Sequence, residues 1–72
     1  MQIYKKIEDI KFATQNVYGE EMEVSESIVM ASAAGWYVGA ICKDSELDGM
    51  ITPFARYTDY FATPEEAERF LA

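Results

Sequence analysis

The run Trp36-Tyr37-Val38-Gly39-Ala40-Ile41-Cys42 constrains the fold of this chain more than any other stretch. Its aromatic and β-branched residues suit a pleated, half-buried surface, and a turn signal stands on either side of it. Ala34-Gly35 is short enough for a hairpin turn, and Asp48-Gly49 tolerates the positive φ that both central residues of a type I′ turn require. A strand with an antiparallel neighbour on each side is therefore expected. Pairing Ala33 with Trp36 sets Val29, Ala31, Val38 and Ala40 on one face. On the other side a return strand from Met50 to Phe61 brings Trp36 near Phe61 and Ala40 near Tyr57. Pro53 has no N–H for a ladder, so that strand belongs at the sheet edge or carries a bulge. Gly39 lacks a side chain where one would normally pack, which implies close approach of a ring or of another backbone there, with Tyr37 and Tyr60 the candidates. The same two rings also suit a patch left open for a partner.

The flanks read differently. Ile3, Ile7, Ile10 and Val17 recur at spacings of four, three and seven, with Thr14 in the gap and Tyr4 and Tyr18 beside the stripe. That pattern predicts a helix from Ile3 to Tyr18 with Gly19 as its stop. Three isoleucines and the lack of an N-cap residue keep an N-terminal strand as the alternative. Met22, Val24, Ile28 and Met30 alternate and predict a strand between Met22 and Ala33, although the alanines before Gly35 also suit a second helix. At the other end Thr63-Pro64-Glu65-Glu66 combines an N-cap threonine, a proline at the first helical position and a glutamate three residues after the cap. A helix is expected from Pro64, its stripe of Ala67, Phe70 and Leu71 covering one sheet face. The fold class expected is α+β: one domain over residues 1–72, with an N-terminal helix, a three-stranded antiparallel β-meander and a C-terminal helix packed on the sheet.

A chain of 72 residues buries only about 60% of its unfolded surface and has room for one core. Ten aromatic residues supply the packing that disulfides provide in other small domains, because Cys42 is the only cysteine. With no charged-then-apolar leader and no long apolar run, a cytoplasmic, soluble protein is expected. Thirteen acidic residues stand against six basic ones with no histidine, a net charge of −7. That balance opposes direct binding to nucleic acid, whose backbone repels it. It favours approach to a basic protein surface, or serves solubility alone.

Chemistry-bearing patterns are few. Asp44-Ser45-Glu46-Leu47-Asp48-Gly49 places oxygen ligands at loop positions one, three and five and glycine at six, as calcium loops of the EF-hand type do. Position twelve is Ala55 where a bidentate glutamate is needed, so the stretch reads as a solvated hairpin loop and no metal or other cofactor is expected. Without histidine, phosphate-binding loop or activated cysteine, an enzyme is not expected, and Cys42 reads as an apolar filler. The densest acidic region is Glu20, Glu21, Glu23 and Glu26, a solvated face or an imitation of the phosphates that a basic groove receives. Asp44, Glu46 and Asp48 form a second acidic group. Arg56 lies among Phe54, Tyr57, Tyr60 and Phe61 with Asp59 three residues on, suited to an internal stack and ion pair or to an interface anchor.

The segments Gly35-Trp36-Tyr37-Val38-Gly39, Pro53-Phe54-Ala55-Arg56, Tyr60-Phe61-Ala62-Thr63 and Glu65-Glu66-Ala67, about half the chain, resemble small proteins of phages and prophages. The order of strands and helix is similar to that of integrase arm domains and of the plant ethylene-response type of DNA-binding domain. Those modules present basic strands, whereas the meander here offers only Lys43 and Arg56. The phage resemblance implies an inhibitor of host defence, anti-CRISPR proteins included, or of restriction and transcription machinery. The function expected is a non-catalytic domain that occupies a basic, nucleic-acid-binding surface of a host protein. Its binding residues would be Glu20, Glu21, Glu23, Glu26, Asp44, Glu46 and Asp48, with Tyr37, Arg56 and Tyr60 as anchors. The alternative is an assembly module that forms a homodimer through a sheet face or the Pro53 edge.

Overall fold

The structure, a computed structural model, describes residues 2–44 and 50–72, Asp44 through its backbone alone. The Trp36–Cys42 run forms the body of strand β5 (Gly35–Asp44), around which the sheet is built. Strand β6 (Met50–Arg56) pairs along one side of it. Two strands share the other side: β4 (Ile28–Ser32) pairs with its first half, and β3 (Glu20–Ser25) pairs with it at Glu23↔Lys43 and Val24↔Cys42. Outside these, β1 (Gln2–Ile3) pairs with β4, and β2 (Phe12–Val17) pairs with β3. All pairings are antiparallel, so the six strands amount to four passes of the chain, the first two each interrupted. A 3-10 turn at Ile7–Asp9 breaks the first pass, and Glu26-Ser27 breaks the second. At the second break the Ile41 N–H would lose its ladder acceptor. Ser25 supplies one, its Oγ accepting from Ile41 N at 3.0 Å while donating to the Glu26 carbonyl at 2.8 Å.

The N-terminal helix and the three-stranded meander expected from the sequence are therefore replaced by a six-stranded sheet. A helix from Ile3 to Tyr18 would bury Ile3, Ile7, Ile10 and Val17 together, yet Ile7 is 48% exposed and only Ile10 is buried. Local helix propensity was weak at its β-branched positions, and pairing with β3 in six successive rungs overrides it. Gly19 ends no helix; it is the second residue of a tight hairpin turn. The preference for strand between Met22 and Ala33 holds, divided into β3 and β4.

The hairpin registers differ from expectation in detail. Ala31, not Ala33, faces Trp36, and the turn residues are Ala33-Ala34. A shift of two preserves the pleat, so Val29, Ala31, Val38 and Ala40 do share a face. Trp36 forms an isolated bridge with Phe61 as expected, whereas Ala40 pairs with Ala55 instead of Tyr57. Pro53 sits both on the edge strand and beside a bulge, where the register slips between Ala40 and Ile41. Because Ile41 turns its N–H toward Ser25 on the β3 side, its partner Pro53 faces its missing donor to the open edge and costs the ladder nothing. The expected Asp48-Gly49 turn lies outside the described residues.

One sheet face packs Val29, Val38, Trp36 and Phe61 against helix α1 (Pro64–Leu71) through its buried Ala67. The other gathers Ile10, Ile28, Met30, Tyr37 and Ile41, with Ile3, Phe12 and Ile51 at its margin. α1 begins as expected: Thr63 Oγ1 accepts from Glu66 N at 3.3 Å. With only eight residues, about 12 Å long, it spans one end of the sheet. Of the expected apolar stripe only Ala67 is buried; Phe70 rests against Phe61 but is 61% exposed, and Leu71 is exposed too.

Candidate functional site

Among the described residues the β2–β3 hairpin runs past its last rung with β5. There β3 shares rungs with β5 at Glu23 and Val24 only, while its ladder with β2 continues through Gln15↔Met22, Asn16↔Glu21 and Val17↔Glu20. Residues 15–22 thus form a two-stranded arm whose tip lies about 10 Å beyond the last β3–β5 rung. Tyr18 (φ 51°) and Gly19 (φ 84°) make the two-residue turn, both in the left-handed region as a type I′ turn demands. Asn16 Oδ1 accepts from the Gly19 N–H at 3.0 Å and fixes the turn.

Tyr18 is the anomaly of this arm. A left-handed conformation costs a non-glycine residue about 1–2 kcal/mol, and Tyr18, fully exposed at 102%, buries nothing in return. A strained residue whose side chain gains nothing within the fold is a candidate functional position. Tyr18→Asn, which installs the Asn-Gly pair favoured in such turns, is expected to raise stability by about 0.5–1 kcal/mol, a few degrees in Tm for a domain this small. A thermal melt checks it; an unchanged or lowered Tm would remove strain from the case for Tyr18.

Charge is distributed as unevenly as shape. No lysine or arginine occurs between Lys11 and Lys43, an interval that contains Glu20, Glu21, Glu23 and Glu26. By the pairing register Glu21 and Glu23 share one face of the arm with Thr14 and Asn16, and Glu20 shares the other with Val17 and Met22. Lys43, opposite Glu23 at the root, places its Nζ 4.2 Å over the Phe12 ring. The backbone of Asp44 continues β5 past this rung, at the same end of the sheet as the arm. Glu46 and Asp48 lie outside the described residues.

Glu26 has a different office. Its carboxylate accepts from the Lys11 N–H at 2.9 Å and from Lys5 Nζ at 3.3 Å, joining the interruption in the second pass to that in the first. The Lys11 hydrogen bond, then Lys5, holds its pKa below the ordinary 4.5. A carboxyl depressed in the folded state contributes stability that is whole above about pH 4.5 and is lost as pH falls through the lower folded value. An NMR pH titration is expected to give Glu26 a midpoint below 4.5, and acid unfolding of Glu26→Ala should lack that component; a midpoint at or above 4.5 contradicts the assignment.

The aromatic anchors form a separate cluster. Tyr37 and Tyr60 meet edge to face at 5.6 Å, and the Arg56 guanidinium lies 4.9 Å from the Tyr60 centroid. Arg56 also donates to the Thr58 carbonyl at 2.8 Å and reaches Asp59 at 3.6 Å, so it has partners within the chain. With Ser32, Pro53 and Phe54 these residues line a shallow cleft of about 250 Å³. Tyr37 lies six residues from Lys43 along β5, about 20 Å. Of the expected binding residues that are described, Glu20, Glu21 and Glu23 thus lie toward one end of β5 and Tyr37, Arg56 and Tyr60 toward the other, with Glu26 joined to neither group.

Cys42 is buried with its Sγ 3.3 Å from Thr52 Oγ1. Tyr18, Thr14 and Asn16 are candidate site residues that the sequence hides, because its apolar spacing there reads as a helix. The available signal was the base-free interval combined with Tyr18-Gly19 between two stretches of strand length. No helix among the described residues is long and apolar enough to cross a membrane. Comparison with protein-family models, curated proteins and solved structures returned no match.

Proposed function

We propose that this protein is a non-catalytic binding domain whose acidic arm occupies a basic, nucleic-acid-binding surface of another protein and so inhibits it stoichiometrically. The observation that supports this reading best is the arm itself, a hairpin that continues past the described rungs of β5, with Glu20, Glu21 and Glu23 on its return strand and a strained, fully exposed tyrosine at its tip. Carboxylates on a narrow hairpin steer encounter with a positive groove, and an exposed tyrosine is a favoured interface anchor. The resemblance to small phage proteins directs the proposal toward a host defence or regulatory protein as the target. Self-association through β6 is disfavoured, since Pro53 removes a donor from that open edge. The immobilised protein is expected to retain bacterial proteins at low salt that duplex DNA displaces by competition. Retention indifferent to both DNA and salt contradicts the proposal.

A further inference from the structure

The outer edge of β2 carries none of the devices that guard β6. It has no proline, no charged residue and no bulge, and its register with β3 is regular through six rungs. Nothing among the described residues pairs with it on the far side. The orientation of its backbone follows from its first neighbour: Glu26 N–H donates to the Lys11 carbonyl at 2.9 Å, so Lys11 turns its ladder groups toward the second pass. Antiparallel ladders alternate, so Ala13, Gln15 and Val17 turn inward as well. Phe12, Thr14 and Asn16 are left to present three N–H donors and three carbonyl acceptors to the open side.

We propose, resting on the acidic-arm reading above, that β2 takes an extended segment of the partner protein as an added strand, with lysine or arginine at alternate positions. Main-chain hydrogen bonds to Phe12, Thr14 and Asn16 supply the binding, and the pleat supplies the selection. Every second side chain of the incoming strand falls on the face of Thr14 and Asn16, where Glu21 and Glu23 stand one strand further in, about 10 Å away in all and within reach of two long side chains. The remaining side chains fall beside Ala13, Gln15 and Val17, uncharged neighbours that take small or apolar residues, with Glu20 the one carboxylate on that face, at the hairpin tip one strand further in. A second copy of this chain fits poorly, because it brings another net charge of −7 and an uncharged edge to a site flanked by glutamates.

The test uses the whole chain, isotope-labelled, and a capped peptide that alternates lysine with valine or threonine. On addition of the peptide the Phe12, Thr14 and Asn16 amides are expected to gain protection from hydrogen exchange of roughly tenfold or more. The same peptide with alternate backbone nitrogens methylated keeps its charge and loses its ladder, and is expected to bind at least about tenfold more weakly. Thr14→Pro, which removes one outward donor, should weaken binding of the unmethylated peptide comparably. Where that variant fails to fold, the pair of peptides decides alone. Equal binding of both peptides overturns strand addition while leaving the acidic-arm reading intact, since charge alone then accounts for the affinity. Failure of both peptides to bind overturns strand addition, and the DNA-competed retention judges the arm independently. A wild-type dimer dissociated by Thr14→Pro in sedimentation overturns it in favour of a second copy.

Discussion

Gly39→Val is expected to leave this chain without a cooperative unfolding transition at room temperature. A β-carbon at Gly39 would run into the Ala55 carbonyl oxygen and would stand 2.8 Å from Met30 Cε and 3.2 Å from Tyr37 Cε2. The first obstacle is the backbone of β6, which can retreat only by giving up its pairing with β5. The second is the end of a side chain with no exposed surface, so it has nowhere to swing. Overfilling a packed site costs about 1–3 kcal/mol, more where backbone must move, and a single-core domain of this size has about 3–5 kcal/mol in all. Gly39→Ala should therefore survive with much reduced stability, and the two further methyls of valine should exceed what is left. Circular dichroism and amide dispersion check this; a valine variant that melts within a few degrees of the wild type would show that β6 is not held against β5 as described.

The largest functional effect is expected from reversing Glu20, Glu21 and Glu23 together to lysine. All three are exposed, and none makes a hydrogen bond or ion pair among the described contacts, so exposed-surface changes of about 0.5 kcal/mol each are expected for the fold. Glu23→Lys adds a like-charge pair with Lys43 across the β3–β5 rung, worth up to about 1 kcal/mol against it. Against a basic partner each reversal replaces an attraction with a repulsion. At about 1 kcal/mol apiece, affinity falls by a hundredfold or more. Titration calorimetry with the captured partner should show this loss at low salt and a smaller one at high salt, because exposed charges are screened. An affinity reduced less than tenfold would remove the arm from the interface.

What could be read from the residues alone follows the range of the forces involved. The β5 run, its two antiparallel neighbours, the place of Pro53 and the helix start at Thr63-Pro64 depend on contacts within a few residues or on one strong turn, and each is visible in the chain. Gly39 belongs with them in part: a missing side chain in mid-strand implies close approach, and the Ala55 backbone, Met30 and the Tyr37 ring provide it, whereas Tyr60, the other ring expected there, comes close to Gly35 instead. The N-terminal third misleads because its pattern is ambiguous. Phe12 and Val17 fall on opposite faces of a mostly exposed β2, so no clean alternation survives, while Ile3, Ile7 and Ile10 imitate a helical stripe across an interrupted strand. The cue that decides between them is the pairing with β3, which is tertiary. The acidic residues were legible as a group, but their division between the hairpin arm and the Glu26 bridge depends on where the second pass breaks.

Amide shift mapping of the isotope-labelled chain with the proposed basic partner, captured as above, addresses the role of the hairpin most directly. Perturbations concentrated on residues 12–24, with Tyr18, Glu21 and Glu23 among the strongest, are the expected result. Perturbations centred instead on Tyr37, Phe54, Arg56 and Tyr60, with the hairpin tip unchanged, would place recognition in the aromatic cleft and contradict it.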